Sequence, residues 1–224
     1  MRLIFIYMAF IIGYILFSTF KNKKIEKFLE FIHIPKNAGT TIENIANEND
    51  VKWGRFNTIH KNDVGDVHCS YWHIPPKYMK DDNLYEKDET FCVMRDPYSR
   101  IVSEFAYQNQ RDPTKNNKSE LNGWIKKVLS QKNKWAYNCH LLPQSEYIYD
   151  EEGTKLCDNI LPFDNLTQSF NDLMQDKNID VKMEKTRNDN KTYFNLSVKD
   201  IDDENLKRIF DYYKKDFETI NSIG

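Results

Sequence analysis

Residues 31–41 read FIHIPKNAGTT and residues 91–103 read FCVMRDPYSRIVS, and these two stretches decide the fold. Each begins as an apolar strand, continues into a loop with a basic residue and hydroxyl groups, and then enters a helix. The N-terminus of a helix offers unpaired N–H groups and a partial positive charge, so this order of elements builds an anion site. Two such sites in one domain predict a ligand with anionic groups at both ends.

The rest of the chain repeats the alternation of strand and helix. Apolar residues follow helical spacing over residues 121–129, 166–174 and 206–217, and the apolar run at 160–163 predicts a further strand. This alternation predicts an α/β domain with a central, mostly parallel sheet flanked by helices. We place the domain at residues 28–224, because a length of about 200 residues suits a single core.

Capping residues predict where the two helices of the opening stretches begin. Thr40 is followed three residues later by Glu43, which fits a capping box for the first helix. Asp96 can cap the second helix, with Pro97 at its first position, where a missing N–H leaves no hydrogen bond unmade.

The charge balance excludes a chain-wide surface for nucleic acid. The chain has 32 basic and 34 acidic residues and a formal net charge of −2, whereas such surfaces normally need a clear basic excess. Any anion site must therefore be local. Aromatic residues make up 14% of the chain beside only seven Gly and seven Pro, which predicts a packed globule.

Residues 1–27 differ in character from the remainder. Residues 3–20 form an uncharged apolar run that is just long enough to cross a bilayer as a helix, and a lysine-rich segment follows it. We interpret residues 1–27 as a signal anchor with a short basic stem. A cleaved signal peptide is the alternative, although no small-x-small cleavage site follows the run. The distribution of lysines alone would place the basic side in the cytosol.

Cysteines and glycosylation sequons bear on the compartment. The four cysteines contain no C-x-x-C pair, which disfavours a zinc site. Cys92 lies within a predicted strand and is interpreted as a buried thiol, whereas Cys139 and Cys157 flank a loop and are the better disulfide candidates. The sequons fit a lumenal domain, and they begin at Asn117, Asn165, Asn190 and Asn195.

The loop at residues 35–41 has the parts of a phosphate cradle. It combines a small residue that lets backbone N–H groups approach, a lysine, and hydroxyls at a helix start. A nucleoside triphosphatase loop would read G-x-x-x-x-G-K-[ST]. Here Lys36 precedes Gly39 and no glycine opens the loop, so the order of residues excludes a nucleoside triphosphatase loop. An ordinary strand–turn–helix connection is the structural alternative.

At these residues the chain resembles a known family. Residues 33–41, HIPKNAGTT, look like the 5′-phosphosulfate-binding loop of Golgi carbohydrate sulfotransferases, which include heparan sulfate 2-O-sulfotransferases and chondroitin enzymes. Residues 95–103, RDPYSRIVS, resemble the 3′-phosphate motif R-[DN]-P-x-x-R-x-x-S of that family. The resemblance implies a P-loop-related fold, the donor 3′-phosphoadenosine 5′-phosphosulfate (PAPS), a glycan acceptor, and a type II Golgi membrane protein with a lumenal catalytic domain.

The same resemblance implies roles for residues of both motifs, and no metal. Lys36 would contact the 5′-phosphosulfate and stabilise charge that develops on the bridging oxygen. Arg95 and Ser103 would bind the 3′-phosphate. Arg100 would either bind the same phosphate or pair with a carboxylate. The remaining cofactor-binding positions are Asn37, Ala38, Gly39, Thr40 and Thr41.

The acceptor hydroxyl needs a proton acceptor, and histidine suits this role near neutral pH. The candidates are His60, His68, His73 and His140. His73 is the first choice and His68 the second, because their region resembles the one where 2-O-sulfotransferases carry catalytic histidines. A surface or packing role is the alternative for each. Residues 140–144, HLLPQ, resemble an H-x-x-P-Q segment of chondroitin-type members, with a role on the acceptor side or in structure.

Two further functions stay open at the level of sequence. A nucleotide kinase or other P-loop phosphotransferase would use similar elements, but the chain lacks the required loop order and an Asp placed for magnesium. A non-catalytic glycan-binding protein on the same scaffold would keep Lys36, Arg95 and Ser103 and lose the base.

Overall fold

The computed structural model describes residues 29–54, 69–79, 89–185, 189 and 194–223. The predicted anchor and stem lie outside these residues. Within them, no helix is both long enough and apolar enough to span a bilayer.

Three parallel strands form the centre of the domain. They are β1 (Leu29–Ile32), β2 (Glu89–Met94) and β3 (Asn159–Pro162), hydrogen-bonded in the order β1-β2-β3. Phe31 of β1 lies opposite Phe91 of β2 in the register. This confirms the predicted α/β fold with a central parallel sheet flanked by helices.

Helices follow the strands throughout the part of the chain that the structure describes. In chain order they are α1 (Gly39–Glu48), α2 (Pro97–Asn109), α3 (Lys118–Leu129), α4 (Ser145–Ile148), α5 (Leu166–Asp176), α6 (Asp203–Tyr212) and α7 (Lys214–Ile223). Short 3-10 turns at Tyr71–His73 and Pro76–Tyr78 lie in the segment before β2.

Both faces of the sheet are covered, which explains why β2 reads as a continuous apolar run. Alternate residues of a strand point to opposite faces. Phe91 and Val93 pack into a cluster with residues of α1 and α5. Cys92 and Met94 pack on the other face, with residues of α4 such as Tyr147. A third cluster joins α2, α3 and α6 beside the sheet.

The two predicted helix starts have different outcomes. The cap of α2 is confirmed, since the Asp96 carboxylate accepts a 2.8 Å hydrogen bond from the backbone N–H of Ser99. The capping box of α1 is wrong. That helix begins at Gly39 without a side-chain cap, so Thr40 already lies inside it. Glu43 is only 3% exposed and turns into the domain.

The helix predicted over residues 206–217 is two helices, α6 and α7, separated at Tyr213. The ring of Tyr213 is buried, and its hydroxyl donates to the carbonyl oxygen of Leu141 at 2.9 Å. The break also directs Asp216 of α7 inward, where its carboxylate accepts hydrogen bonds from the backbone N–H groups of Gln144 and Ser145, each at 2.8 Å.

Two disulfide bonds correct the predicted cysteine chemistry. Cys69 pairs with Cys139 and Cys92 pairs with Cys157, with Cα–Cα distances of 5.6 and 6.4 Å. A Cys139–Cys157 bond and a free Cys92 thiol were both wrong predictions. The chain segment that enters β3 runs beside β2, so Cys157 lies against Cys92. Spacing along the sequence contains no information on this neighbourhood.

Candidate functional site

The two predicted anion-binding loops lie side by side at the carboxyl ends of β1 and β2. Residues 33–38 connect β1 to α1, and residues 95–96 connect β2 to α2. Neighbouring parallel strands end at the same edge of a sheet, which is where open α/β folds bind ligands. A direct contact joins the loops, because Nη1 of Arg95 donates to the carbonyl oxygen of Lys36 at 3.2 Å.

The backbone of the first loop adopts an unusual conformation. Lys36 and Ala38 have φ values of 68° and 62°, in the left-handed region that non-glycine residues rarely occupy. The loop leads directly into the N-terminus of α1, where Thr40 is partly exposed and Thr41 is 8% exposed. Such a turn ahead of a helix offers backbone N–H groups to an anion.

Asn37 holds this loop in place from inside the domain. Its side chain is 1% exposed, and Nδ2 donates to the carbonyl oxygen of Val93 and to Oε1 of Gln144, each at 2.6 Å. The side chain therefore anchors the loop to β2 and to the HLLPQ segment. Its predicted place among the cofactor-binding residues therefore rests on the backbone of the loop rather than on this side chain.

Gly39 is required by the residue packed against it. A Cβ atom at this position would lie 2.1 Å from Nε2 of His33, far closer than van der Waals contact allows. His33 is itself 6% exposed and fixed between its neighbours. The start of α1 can approach β1 this closely only because residue 39 has no side chain.

Lys36 is a largely buried lysine whose ammonium group forms no salt bridge among the described residues. Its Nζ atom lies 4.0 Å from the ring centroid of Tyr107. Burial lowers the pKa of Lys36 to about 8; the carboxylate of Glu104 opposes this effect, and Arg95 and Arg100 add to it. A lysine in this state gains from the arrival of an anion, and such perturbed groups are frequent at functional sites.

Arg95 lies at the carboxyl end of β2, as predicted. Its Nε donates to Oγ of Ser99 at 3.1 Å, and its guanidinium carbon lies 4.2 Å from the ring centroid of Phe163. Burial, followed by the charge of Arg100, lowers the pKa of Arg95 to about 10, so the group remains a cation at neutral pH. Arg95 and Lys36 thus place two positive charges at adjacent strand ends.

Arg100 and Ser103, both on α2, have different environments. Ser103 is partly exposed. Arg100 is 2% exposed and donates to the carbonyl oxygens of Pro35, Leu142 and His140 at 3.0, 2.9 and 2.9 Å. Among the described residues it forms no ion pair with a carboxylate, because its guanidinium is engaged by these carbonyl oxygens. This geometry favours a role for Arg100 in holding the first loop and the HLLPQ segment together.

Three buried histidines form a row that begins in the first loop. The ring centroids of His33 and His73 are 5.1 Å apart, and those of His73 and His140 are 4.7 Å apart. A carboxylate lies at each end: Glu43 Oε1 is 3.6 Å from Nδ1 of His33, and Glu104 Oε2 is 2.8 Å from Nδ1 of His140. Burial, then the two flanking histidines, holds the pKa of His73 well below its usual range.

The structure therefore brings two of the four predicted base candidates together, His73 and His140. His140 connects this pair to Lys36, because its ring centroid lies 5.7 Å from that of Tyr107, the ring that Nζ of Lys36 contacts. His60 and His68 lie outside the described residues. The lowered pKa leaves the His73 imidazole neutral at pH 7, so that one of its ring nitrogens carries no proton.

Glu104 and Tyr107 are site residues that were not predicted from the sequence. Both lie on α2, and with Arg100 and Ser103 they recur at intervals of three and four residues, which places them on one helix face. That periodicity is the signal that could have identified them. Asp216 has no such signal, because its contacts with residues 144–145 join distant parts of the chain.

The arrangement combines two cations, the N-termini of two helices and a row of buried imidazoles at one edge of the sheet. It is suited to holding a ligand with two anionic groups next to a proton acceptor. Among the described residues, no group of His, Cys, Asp and Glu side chains has the geometry to hold a metal ion.

Comparison with known proteins adds an independent observation. Residues 24–220 match the family model described as "Sulfotransferase family", a span that includes both loops, the histidine row and the first seven residues of α7. No curated protein and no solved structure gives a significant match to the chain.

Proposed function

The chain belongs to the sulfotransferase family, and on that premise we propose that it transfers a sulfuryl group from PAPS to a hydroxyl group of a glycan. The observation that carries the proposal is the contact between Nη1 of Arg95 and the carbonyl oxygen of Lys36 at 3.2 Å. It sets two cationic loops at adjacent strand ends. A nucleotide with a phosphosulfate at one end and a 3′-phosphate at the other needs such a pair of sites.

In this proposal the first loop binds the 5′-phosphosulfate. The acceptor oxygen attacks the sulfur atom in line, the S–O bond to the 5′-phosphate breaks, and adenosine 3′,5′-bisphosphate leaves. Lys36 neutralises the charge that develops on the bridging oxygen, and the loop at residues 37–41 holds the phosphate. Arg95 and Ser103 bind the 3′-phosphate on the other side.

His73 is the proposed acceptor of the hydroxyl proton. Its lowered pKa keeps the imidazole neutral at physiological pH, and its neighbours His33 and His140 continue the row toward Glu43 and Glu104. His68 is the second proposed base and lies outside the described residues.

A lumenal Golgi location with an N-terminal membrane anchor completes the proposal, with residues 28–224 as the catalytic domain. Two disulfide bonds support this location, because such bonds persist in oxidising compartments. Three of the sequon asparagines, Asn117, Asn165 and Asn195, are exposed and could accept glycans. The fourth, Asn190, lies outside the described residues.

Transfer of radiolabelled sulfate from PAPS to a panel of desulfated glycans tests the proposal. Wild-type protein should label at least one glycan, and Lys36→Ala should lose the transfer. PAPS binding without transfer to any acceptor would favour a non-catalytic glycan-binding protein, and transfer of phosphate from ATP would favour a kinase. Absence of PAPS binding by the wild-type protein would overturn the proposal.

A further inference from the structure

The side-chain amide of one buried residue touches both anion-binding loops. Gln144 is 0% exposed, and its Oε1 accepts hydrogen bonds from Nδ2 of Asn37 at 2.6 Å and from the backbone N–H of Arg95 at 3.0 Å. Its Nε2 donates to the carbonyl oxygen of Arg95 at 2.8 Å. The amide therefore pairs with Arg95 as a neighbouring strand would, while it also holds the first loop.

Asp216 of α7 fixes the direction of this amide. Its Oδ2 accepts from the backbone N–H of Gln144 at 2.8 Å and from Nε2 of the same residue at 3.3 Å, and its Oδ1 accepts from the backbone N–H of Ser145 at 2.8 Å. Rotating the amide by half a turn would place two oxygens against each other at Asp216 and at the carbonyl of Arg95. Only one orientation satisfies all partners.

We propose that Gln144 is a positioning residue that sets the separation of the two anion-binding loops. The proposal rests on the function proposed above. Asn37 is also bonded to Val93 of β2, so the first loop is held to the same strand that leads into Arg95. Gln144 closes this connection from the other side, and the two loops become one rigid unit.

A fixed separation matters for a ligand with two anionic groups. Once the first group is bound, the second contact is intramolecular, and its gain is largest when the two sites already match the spacing in the ligand. Loops that move independently would each bind their own phosphate but would lose part of that gain. The quantity to measure is therefore how much more tightly the protein binds a nucleotide with two phosphates than the same nucleotide with one.

Adenosine 5′-phosphate and adenosine 3′,5′-bisphosphate are the two probes, because they differ only in the 3′-phosphate. Titration calorimetry on the disulfide-intact protein gives a Kd for each nucleotide. The ratio to follow is the Kd of adenosine 5′-phosphate divided by the Kd of adenosine 3′,5′-bisphosphate. We expect Gln144→Met, which keeps the side-chain volume and removes the amide, to lower this ratio about tenfold, equivalent to about 1.4 kcal/mol. The Kd for adenosine 5′-phosphate alone should change less than about threefold, since one contact does not need the spacing.

Gln168→Met is the matched control. Gln168 lies on the exposed side of α5, and its Nε2 donates to Oδ1 of Asp172 at 2.7 Å. The control substitution therefore also removes an amide that is bonded to an aspartate. This variant should leave the ratio unchanged. Gln144→Asn keeps a neutral amide but is one methylene shorter, and it is subject to the same test where Gln144→Met does not fold.

The outcomes distinguish a failure of the proposed function from a failure of the positioning role of Gln144. Failure of the wild-type protein to bind either nucleotide would overturn the proposed function. Where the wild type binds, a Gln144 variant that weakens both nucleotides by the same factor, or neither, would overturn the positioning role. If Gln144 only stabilised the fold, its replacement would lower the unfolding temperature without changing the ratio of the two Kd values.

Discussion

The Nδ1 atom of His140 lies 2.8 Å from the Oε2 atom of Glu104, and both side chains are buried. A carboxylate in this position holds the imidazole in one orientation and favours the tautomer with hydrogen on Nδ1. The Nε2 atom is buried without a hydrogen-bond partner among the described residues. Glu104 thus orders one end of the histidine row and also faces the charge of Lys36.

Replacing Glu104 should alter the pH dependence of transfer. Glu104 raises the pKa of Lys36 against the effect of burial, so Glu104→Gln should lower this pKa below its value of about 8. The proposed role of Lys36 needs the ammonium form, so the alkaline limb of the kcat profile should shift to lower pH.

Glu120→Gln is the control for that experiment. Glu120 of α3 lies 2.7 Å from Lys115, which precedes that helix, and its replacement should leave the profile in place. A Glu104→Gln profile that overlaps the wild-type curve would refute the assigned coupling between Glu104 and Lys36.

Lys36→Met should separate activity from stability. Loss of the cation should reduce kcat by about two to three orders of magnitude, the range found for removal of one electrostatic stabiliser. The folded-state pKa of about 8 lies below the ordinary value of 10.5, so the unfolded state binds more protons between these two values. Stability conferred by this group therefore rises with pH between about 8 and 10.5, and at pH 7 the buried ammonium destabilises the fold.

Denaturant unfolding at pH 7 measures the second half of that prediction. Lys36→Met should have a free energy of unfolding equal to or higher than that of wild type. Lys127→Met, at an exposed position of α3, should change it by less than about 0.5 kcal/mol. A clear loss of stability in Lys36→Met would show that the lysine contributes to the fold.

Gly39→Ala should disrupt the start of α1. The new Cβ would lie 2.1 Å from Nε2 of His33, and this ring has little room to move because His73 packs against it with ring centroids 5.1 Å apart. We expect a loss of about 1–3 kcal/mol in the free energy of unfolding, as for other overpacked sites. Gly123→Ala is the control: it lies mid-helix in α3 with open space around it, and should gain up to about 1 kcal/mol. Equal effects of the two substitutions would contradict the steric explanation.

Arg100→Lys should destabilise the protein even though the charge is kept. A lysine offers one ammonium group and cannot reach the three carbonyl oxygens that the guanidinium binds at 2.9–3.0 Å. Leaving buried carbonyls unpaired should lower the free energy of unfolding by about 2–4 kcal/mol. Arg208→Lys, in the i,i+4 pair with Glu204 on α6, should change it by less than about 0.5 kcal/mol. Thermal or denaturant unfolding of both variants distinguishes these expectations, and a stable Arg100→Lys with weakened nucleotide binding would restore a phosphate-binding role.

Local patterns predicted the elements that local chemistry controls. The apolar run before Arg95, the Asp96 cap and the helix after Pro97 are fixed by neighbouring residues, and the structure reproduces each of them. Arg95 and Lys36 meet because parallel strands place their carboxyl ends together, a rule that needs only the order of strands.

Contacts between distant segments could not be predicted in this way. The partner of Cys92 depends on which segment runs beside β2, and the partners of Gln144 depend on a helix break near Asp216. The histidine row is of the same kind, since His33, His73 and His140 come from three separate segments. Side chains that form hydrogen bonds or ring contacts with buried groups of distant segments leave no periodic pattern in the sequence.

The two disulfide bonds interleave along the chain, since Cys92 lies inside the ring closed by Cys69 and Cys139, and Cys157 lies outside it. Any single backbone cut between residues 69 and 157 therefore leaves both pieces covalently joined. A protease that cuts between Cys69 and Cys92 would separate Lys36 from Arg95 in sequence, yet the Cys69–Cys139 disulfide bond would still keep the two loops on one molecule. Nicked protein would migrate as two fragments in electrophoresis only after reduction.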